Sequence, residues 1–345
     1  MLEFGRSSRA AGARPGRSVW CVGPATGGGA AARATPSGSL PLSSPPSVTL
    51  SIVVNFHNMR REAPRTLVSL VPGYQRDVGD LAYEVVAVDN GSTSALGEDL
   101  VRGIDAARCR YEYVATGSPS PAAAINDAVR RSSAEWIMCL IDGARMVSPG
   151  TVANGMRATR LFPEPFVYTL AMHLGPEPQN SSMLQGYDQA VEDRLLAGID
   201  WRNNGYALFG VSSVARSSRQ GFFSDIVETN CFVMRRARYL ELGGLCEAFQ
   251  SPGGGLVNLD FFNRVHEAAD ISPVMLLGEA TFHQFHGGVA TNVPLSRHPG
   301  REFAEEYRRI RGRDFQTAGR PPVYFGGIPP ECRQFVRAST RGWGD

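Results

Sequence analysis

Between residues 48 and 174 the sequence alternates short apolar runs with helix-forming stretches, in the order β-α-β-β-α-β-α-β. That alternation is the pattern of an α/β sheet with mostly parallel strands and helical crossovers. "VTLSIVVNF" (48–56) opens it, continuous and β-branched, as a strand buried on both faces should be. In "NMRREAPRTLVSLVPGY", Leu67, Leu70 and Val71 share one helical face, and Pro72-Gly73 is the stop. "AYEVVAVDNGS" and "RYEYVAT" are two more strands. "SPAAAINDAVRRSS" is a helix that Ser120 can cap, with Pro121 suited to its first turn. "EWIMCLID" is a fourth strand, "SPGTVANGMRATRLF" a helix opened by the same device at Ser148-Pro149, and "FVYTLAMHL" a further strand.

The second half is less regular. Residues 175–227 are polar, Gly-rich and aromatic, with a helix at Glu192–Ala197. "ETNCFVMRRARYLELGG" predicts a strand and helix, "VNLDFFNRVHEA" an amphipathic helix, and "VMLLGEATFHQFHGG" a strand running into a loop. "REFAEEYRRIRGRDF" predicts a charged, exposed helix. Residues 1–47, rich in Ala, Gly, Ser, Pro and Arg, lack any apolar period and are expected to be a disordered tail or the product of a misplaced start codon. Their five arginines and single acid are also faintly like a transit peptide.

Composition narrows the function classes. Hydrophobic residues make up 43% of the 345, enough for a real core, and the net charge of +2 argues for neither nucleic-acid nor membrane binding. No apolar run approaches the ~18 residues of a membrane span. There is no lysine, so all 35 cations are arginines, a residue suited to bidentate phosphate contacts. The six cysteines show no tight pairing, which excludes a zinc ribbon or disulfide framework and predicts reduced thiols in a cytoplasm.

Ligands of such sheets bind at the carboxyl ends of the strands. Asn55, Asp89 and Asp142 stand at three of those ends. Asp89-Asn90-Gly91-Ser92 reads either as an Asx turn or as an acid that hydrogen-bonds a base or ribose. Asp142 reads either as a turn acid or as a carboxylate for a cation or pyrophosphate. His283 and His286 lie three apart in "TFHQFHGG"; in extended chain they face opposite ways, so one at most is expected to bind metal, and His286 is the better placed. A metal hydrolase built on them needs at least three ligands. "GGGLVNLDFFNR" carries Asn258, and Asp260 and Arg264 at pairing distance on a helix. It matches no Walker loop, and no GxGxxG follows the first strand, which argues against a nucleotide kinase or a dinucleotide-dependent oxidoreductase. Tyr187, Trp201, Tyr206 and Phe209 read either as packing or as platforms for sugar rings.

Taken in order over 48–290, these segments resemble a family-2-type glycosyltransferase of the GT-A fold. "LSIVVNFHN" resembles its opening strand, "VVAVDNGST" its nucleotide-binding acid, "SPAAAINDAVRRSSAEWIMCLIDGARMVSPGTV" the approach to its metal motif, and "ETNCFVMRRARYLELGGLCEAF" its later strand and Gly-Gly segment. The resemblance implies a GT-A-like fold with a nucleotide-binding half (48–174), an acceptor half (175–290) and a C-terminal helical or irregular extension (291–345). It implies a hexosyltransferase moving sugar from a nucleotide-diphospho-sugar to a carbohydrate or other hydroxyl acceptor, with Mn²⁺ or Mg²⁺. Asn55, Asp89, Asn126, Asp142, Arg145, Asn258 and Arg264 are then the substrate-binding residues, and Asp142 and His286 the metal ligands. Two departures stand out. The family's Asp-x-Asp is here Asp142-Gly143-Ala144, so Arg145 is a candidate for part of the phosphate charge. Counting back from Arg264 to the family's general base lands on Asn258, which leaves Asp260, then Glu228, as candidate bases. The alternative is a glycosyltransferase-like nucleotide-binding protein impaired in turnover. A cytoplasmic protein is expected, with peripheral membrane association as an option.

Overall fold

The computed structural model describes residues 48–115, 117–218, 221–224 and 226–340. The expectations for residues 1–47, and Cys21, lie outside them. The strands are β1 (Leu50–Phe56), β2 (Tyr83–Asn90), β3 (Cys109–Val114), β4 (Trp136–Leu140), β5 (Arg145–Val147), β6 (Pro165–Leu174), β7 (Ser212–Val214), β8 (Cys231–Arg235), β9 (Ser272–His283) and β10 (Val323–Phe325). The helices are α1 (Ala63–Val68), α2 (Glu98–Arg102), α3 (Ala122–Arg131), α4 (Thr151–Ala158), α5 (Gln179–Ser182), α6 (Gln189–Ala197), α7 (Arg236–Glu241), α8 (Val257–Glu267), α9 (Gly300–Arg311) and α10 (Arg333–Ser339).

All ten strands join one sheet, in the order β10-β9-β6-β8-β4-β1-β2-β3, with β5 paired to β9 and β7 to β6. Along that path β8 alone runs against its neighbours β4 and β6; every other pairing is parallel. The chain thus forms the mostly parallel α/β sheet expected from its alternation. Helices cover both faces, which explains why the strands read as continuous apolar runs. On β1, Ile52 and Val54 pack with Leu67 of α1 and Val152 of α4, whereas Val53 packs with Ile125 and Val129 of α3. Among the described residues no helix is long and apolar enough to cross a membrane.

Three expectations change. Ser120 Oγ does accept from Ala122 N at 3.4 Å, but Ser148 does not cap α4. Its hydroxyl instead donates to the buried Glu279 carboxylate and accepts from Ala280 N, tying the chain after β5 to β9. The charged α9 is not simply exposed: it buries Phe303, Tyr307 and Glu306, whose carboxylate accepts from Gln250 N and Ser251 N. The described part of the C-terminal segment, 291–340, also supplies β10, which extends the sheet beside β9, so it is built into the same compact unit as the rest of the described chain.

Candidate functional site

β1 lies between β2 and β4 with Phe56 opposite Asp89 and Val54 opposite Leu140, so Asn55, Asp89 and Asp142 leave the sheet at one edge. Gly143 lets the chain turn there. A Cβ on it would lie 2.3 Å from Phe56 Cδ1 and 2.5 Å from Asn55 O, so no side chain fits. Asp142 Oδ1 accepts from Ala144 N at 3.1 Å, closing an Asx-type turn. The chain then forms β5, antiparallel to the end of β9, with Arg145 opposite His283. Three residues are too few for any periodicity, and the sequence offered no sign of β5.

This pairing builds the site. His283 ends β9; beyond it the backbone turns, and the opposite-faces argument, valid only within a strand, stops applying. Asn292 Oδ1 gathers the amides of His286, Gly287 and Gly288 at 3.2, 2.9 and 2.9 Å, folding the loop back. His286 therefore comes alongside His283, with ring centroids 5.1 Å apart. The two rings thus share one side instead of facing opposite ways as an extended chain would set them: ligand atoms of Asp142, His283 and His286 lie within 4.8 Å of one another. Asp142 Oδ2 is 3.0 Å from His283 Nε2, Asp142 Oδ1 is 3.8 Å from His286 Nε2, and the two Nε2 atoms are 3.2 Å apart.

The electrostatics suit a cation. Burial alone would raise the Asp142 carboxyl, but His283, His286 and Arg145 outweigh it and hold it well below the carboxylate range. Burial pushes His283 down to about 4 despite the pull of Asp142, so its imidazole is neutral at pH 7. Two imidazoles and one ionised carboxylate form a nitrogen-rich donor set that fits a borderline divalent cation. Arg145 is buried; its Nε is 3.3 Å from Asp142 Oδ2 but not aligned for a hydrogen bond, and its Nε and Nη1 have no hydrogen-bond partner.

A shell of buried groups holds the loop. Gln284 N donates to Ala144 O at 2.8 Å, and Gln284 Nε2 to Glu62 O and Thr66 Oγ1. Glu192 of α6 accepts from Phe285 N at 2.7 Å, while Arg61 donates to Phe285 O at 3.2 Å. Burial raises the Glu192 carboxyl to about 7, against the pull of its Phe285 hydrogen bond and of Arg61 and Arg65.

The other expected residues divide. Asp89 is wholly inaccessible: Oδ1 accepts from Ser92 N, and Oδ2 from Leu96 N and Tyr111 Oη, which fixes the turn after β2. Asn55 is buried with Oδ1 unpartnered. His57 and Asn58, missed from the sequence, follow β1; Asn58, at φ +54°, accepts from Thr93 N and Oγ1 and so joins the two strand ends. Asn126, Asp260 and Arg264 gather elsewhere, around the 242–247 turn. Asn126 meets Leu245, Glu247 and Tyr239, and Arg264 donates to Leu242 O and Gly244 O. Asp260 is buried between Arg264 and Arg311, bonded to both at 2.6–2.9 Å. Glu228 precedes β8 where β4 ends, since Ile141 N donates to Asn230 O; it is half-buried, and Asn258 at the start of α8 donates to its carboxylate. Tyr187, Trp201 and Phe209 are buried, and Tyr206 donates to Glu279, so packing explains these aromatics.

Comparison with protein-family models gives no match, and comparison with curated proteins gives none either. Among solved structures, the chain is similar to S. aureus TarS 1–349, at 15% identity over 76% of this chain and 64% of that one, with a TM-score of 0.49. TarS 1–349 in complex with UDP is matched at 15% identity over 68% and 60%, with a TM-score of 0.46. The mannosyltransferase PcManGT from Pyrobaculum calidifontis, in complex with GDP-Man and Mn²⁺, is matched at 15% identity over 86% and 72%, with a TM-score of 0.44. The chain thus spans less than two thirds of these TarS structures.

Proposed function

We propose that the chain is a GT-A glycosyltransferase of the family-2 type, moving a hexosyl group from a nucleotide-diphospho-sugar to a carbohydrate or other hydroxyl acceptor. The observation that carries this reading is the convergence of Asp142, His283 and His286 at the carboxyl edge of the sheet, where α/β folds bind their ligands. A divalent cation held by these three would neutralise charge on the departing nucleoside diphosphate. The two imidazoles favour Mn²⁺ over Mg²⁺, which prefers oxygen ligands.

The protein's own groups supply the rest. Arg145, with donors unmet beside Asp142, adds fixed positive charge next to the diphosphate. Asn55 offers its unpartnered oxygen to the donor at the same edge. Glu228 takes the proton of the attacking hydroxyl, with Asn258 orienting its carboxylate. Asp260 neutralises Arg264 and Arg311 and holds the 242–247 turn rather than acting as a base. The five free cysteines among the described residues accord with a cytoplasmic setting.

The test is a panel of UDP-, GDP- and TDP-sugars with Mn²⁺, followed by release of nucleoside diphosphate and by thermal shift. Stabilisation and turnover that disappear in Asp142→Asn support the reading; no response to any nucleotide, with or without Mn²⁺, overturns it. The second reading, nucleotide binding without turnover, is favoured by the amide at position 258 and by the ion-paired Asp260. It predicts stabilisation by nucleotides, no transfer, and no effect of Glu228→Gln.

A further inference from the structure

Gln179, on the short helix α5, was not singled out by any motif, yet it touches both sides of the candidate cation site. Its Nε2 donates to His283 O at 2.9 Å and to Leu174 O at 3.4 Å. Both partners are carbonyls, so the amide nitrogen must be on that side. Gln179 Oε1 then faces His283 Nδ1 and Asn292 Nδ2, each at 2.8 Å. The orientation of Asn292 is fixed independently: three backbone N–H groups, of His286, Gly287 and Gly288, point at its Oδ1, which leaves its Nδ2 as the donor to Gln179. Gln179 is fully buried and Asn292 nearly so, so water does not compete for these bonds.

We propose that Asn292 and Gln179 form a relay that sets the tautomer of His283, making Gln179 a positioning residue for the cation site. Gln179 Oε1 can only accept, so His283 Nδ1 must carry its proton. Nε2, 3.0 Å from the Asp142 carboxylate, is then the ring atom left to face the point that Asp142 and His286 share, and it is the atom that sheds any proton when a cation binds there. The same Asn292 that determines this chain of donors folds the 286–288 loop, so one side chain both brings His286 to the site and orients His283. This inference rests on the cation reading above and adds what prepares His283 to be a ligand. Outer-shell partners of ligating histidines typically contribute 10- to 100-fold in metal affinity.

The experiment is ¹⁵N NMR of the histidine side chains in the metal-free full chain, with His283 assigned by its loss in His283→Gln, combined with Mn²⁺ titration by EPR. The wild type is expected to show His283 protonated on Nδ1. Gln179→Met is expected to lose that single tautomer and to bind Mn²⁺ about 10- to 100-fold more weakly. Asn292→Asp, which keeps an oxygen for the three backbone amides but removes the donor to Gln179, is expected to weaken binding in the same direction. It carries the test if Gln179→Met does not fold. A wild-type His283 with no proton on Nδ1 overturns the relay, as does Mn²⁺ affinity within twofold of wild type in both variants. Failure of the cation reading looks different: the wild type then binds no Mn²⁺, while the Nδ1–H tautomer still supports the relay.

Discussion

Replacing Gly143 by alanine probes how the strand end is built. The new methyl would sit 2.3 Å from Phe56 Cδ1 and 2.5 Å from Asn55 O. Neither neighbour can give way cheaply: Phe56 is fully buried in the core, and Asn55 O belongs to the backbone of the central strand β1. The turn itself must shift. Overpacking of this kind costs about 2–3 kcal/mol. In a unit of this size about 2 °C of melting temperature corresponds to each kcal/mol, so a fall of about 4–6 °C is expected by calorimetry. Gly210→Ala is the control: nothing lies within 4 Å of its added methyl, so it should be neutral or slightly stabilising. Because Asp142 precedes Gly143 directly, Gly143→Ala should also weaken Mn²⁺ binding. A variant that melts within about 1 °C of wild type and binds Mn²⁺ equally would refute the close-approach argument.

Glu192 carries a pH signature. Its folded carboxyl is raised by burial to about 7, above its unfolded value, so its contribution is fully present below about 4.5 and is lost as pH rises towards 7. Glu192→Gln keeps an oxygen for Phe285 N and should gain stability over wild type as pH rises, on the order of 3 kcal/mol by pH 8 in urea unfolding; a pH-independent difference would contradict this. Asp260→Asn strands two arginines against a buried site and should cost about 3–5 kcal/mol of stability. Glu228→Gln, on a half-buried acid, should leave the melting temperature nearly unchanged and lower kcat by about 10²–10⁴. A stable Asp260→Asn that has lost all turnover would reverse the roles assigned to these two acids.

The sheet was legible because its signal is local and repeated: strands covered on both faces are mostly apolar, and β1, β2, β4 and β6 are. Asp142 was legible for the same reason, as an acid at the end of such a run. What escaped depends on pairings between distant residues. β5 exists only because β9 offers it a partner, 138 positions on from Arg145 to His283 in register. The approach of His283 to His286 depends on a loop gathered by Asn292. Asp89 stood at the expected strand end, yet Tyr111 and the turn through Leu96 close over it. Asp260 and Arg264 matched a helix pair, but Arg311, contributed by α9, completes the ion cluster and determines its role.

Asp142, His283 and His286 are proposed to hold a divalent cation against the diphosphate of a nucleotide. Anomalous diffraction at the manganese edge, from crystals soaked with Mn²⁺ and UDP or GDP, measures this directly. One peak is expected, bonded to Asp142 and to Nε2 of both His283 and His286, with diphosphate oxygens on its open side. Nucleotide bound at the sheet edge with no manganese among these three residues, or manganese bound elsewhere, would contradict it.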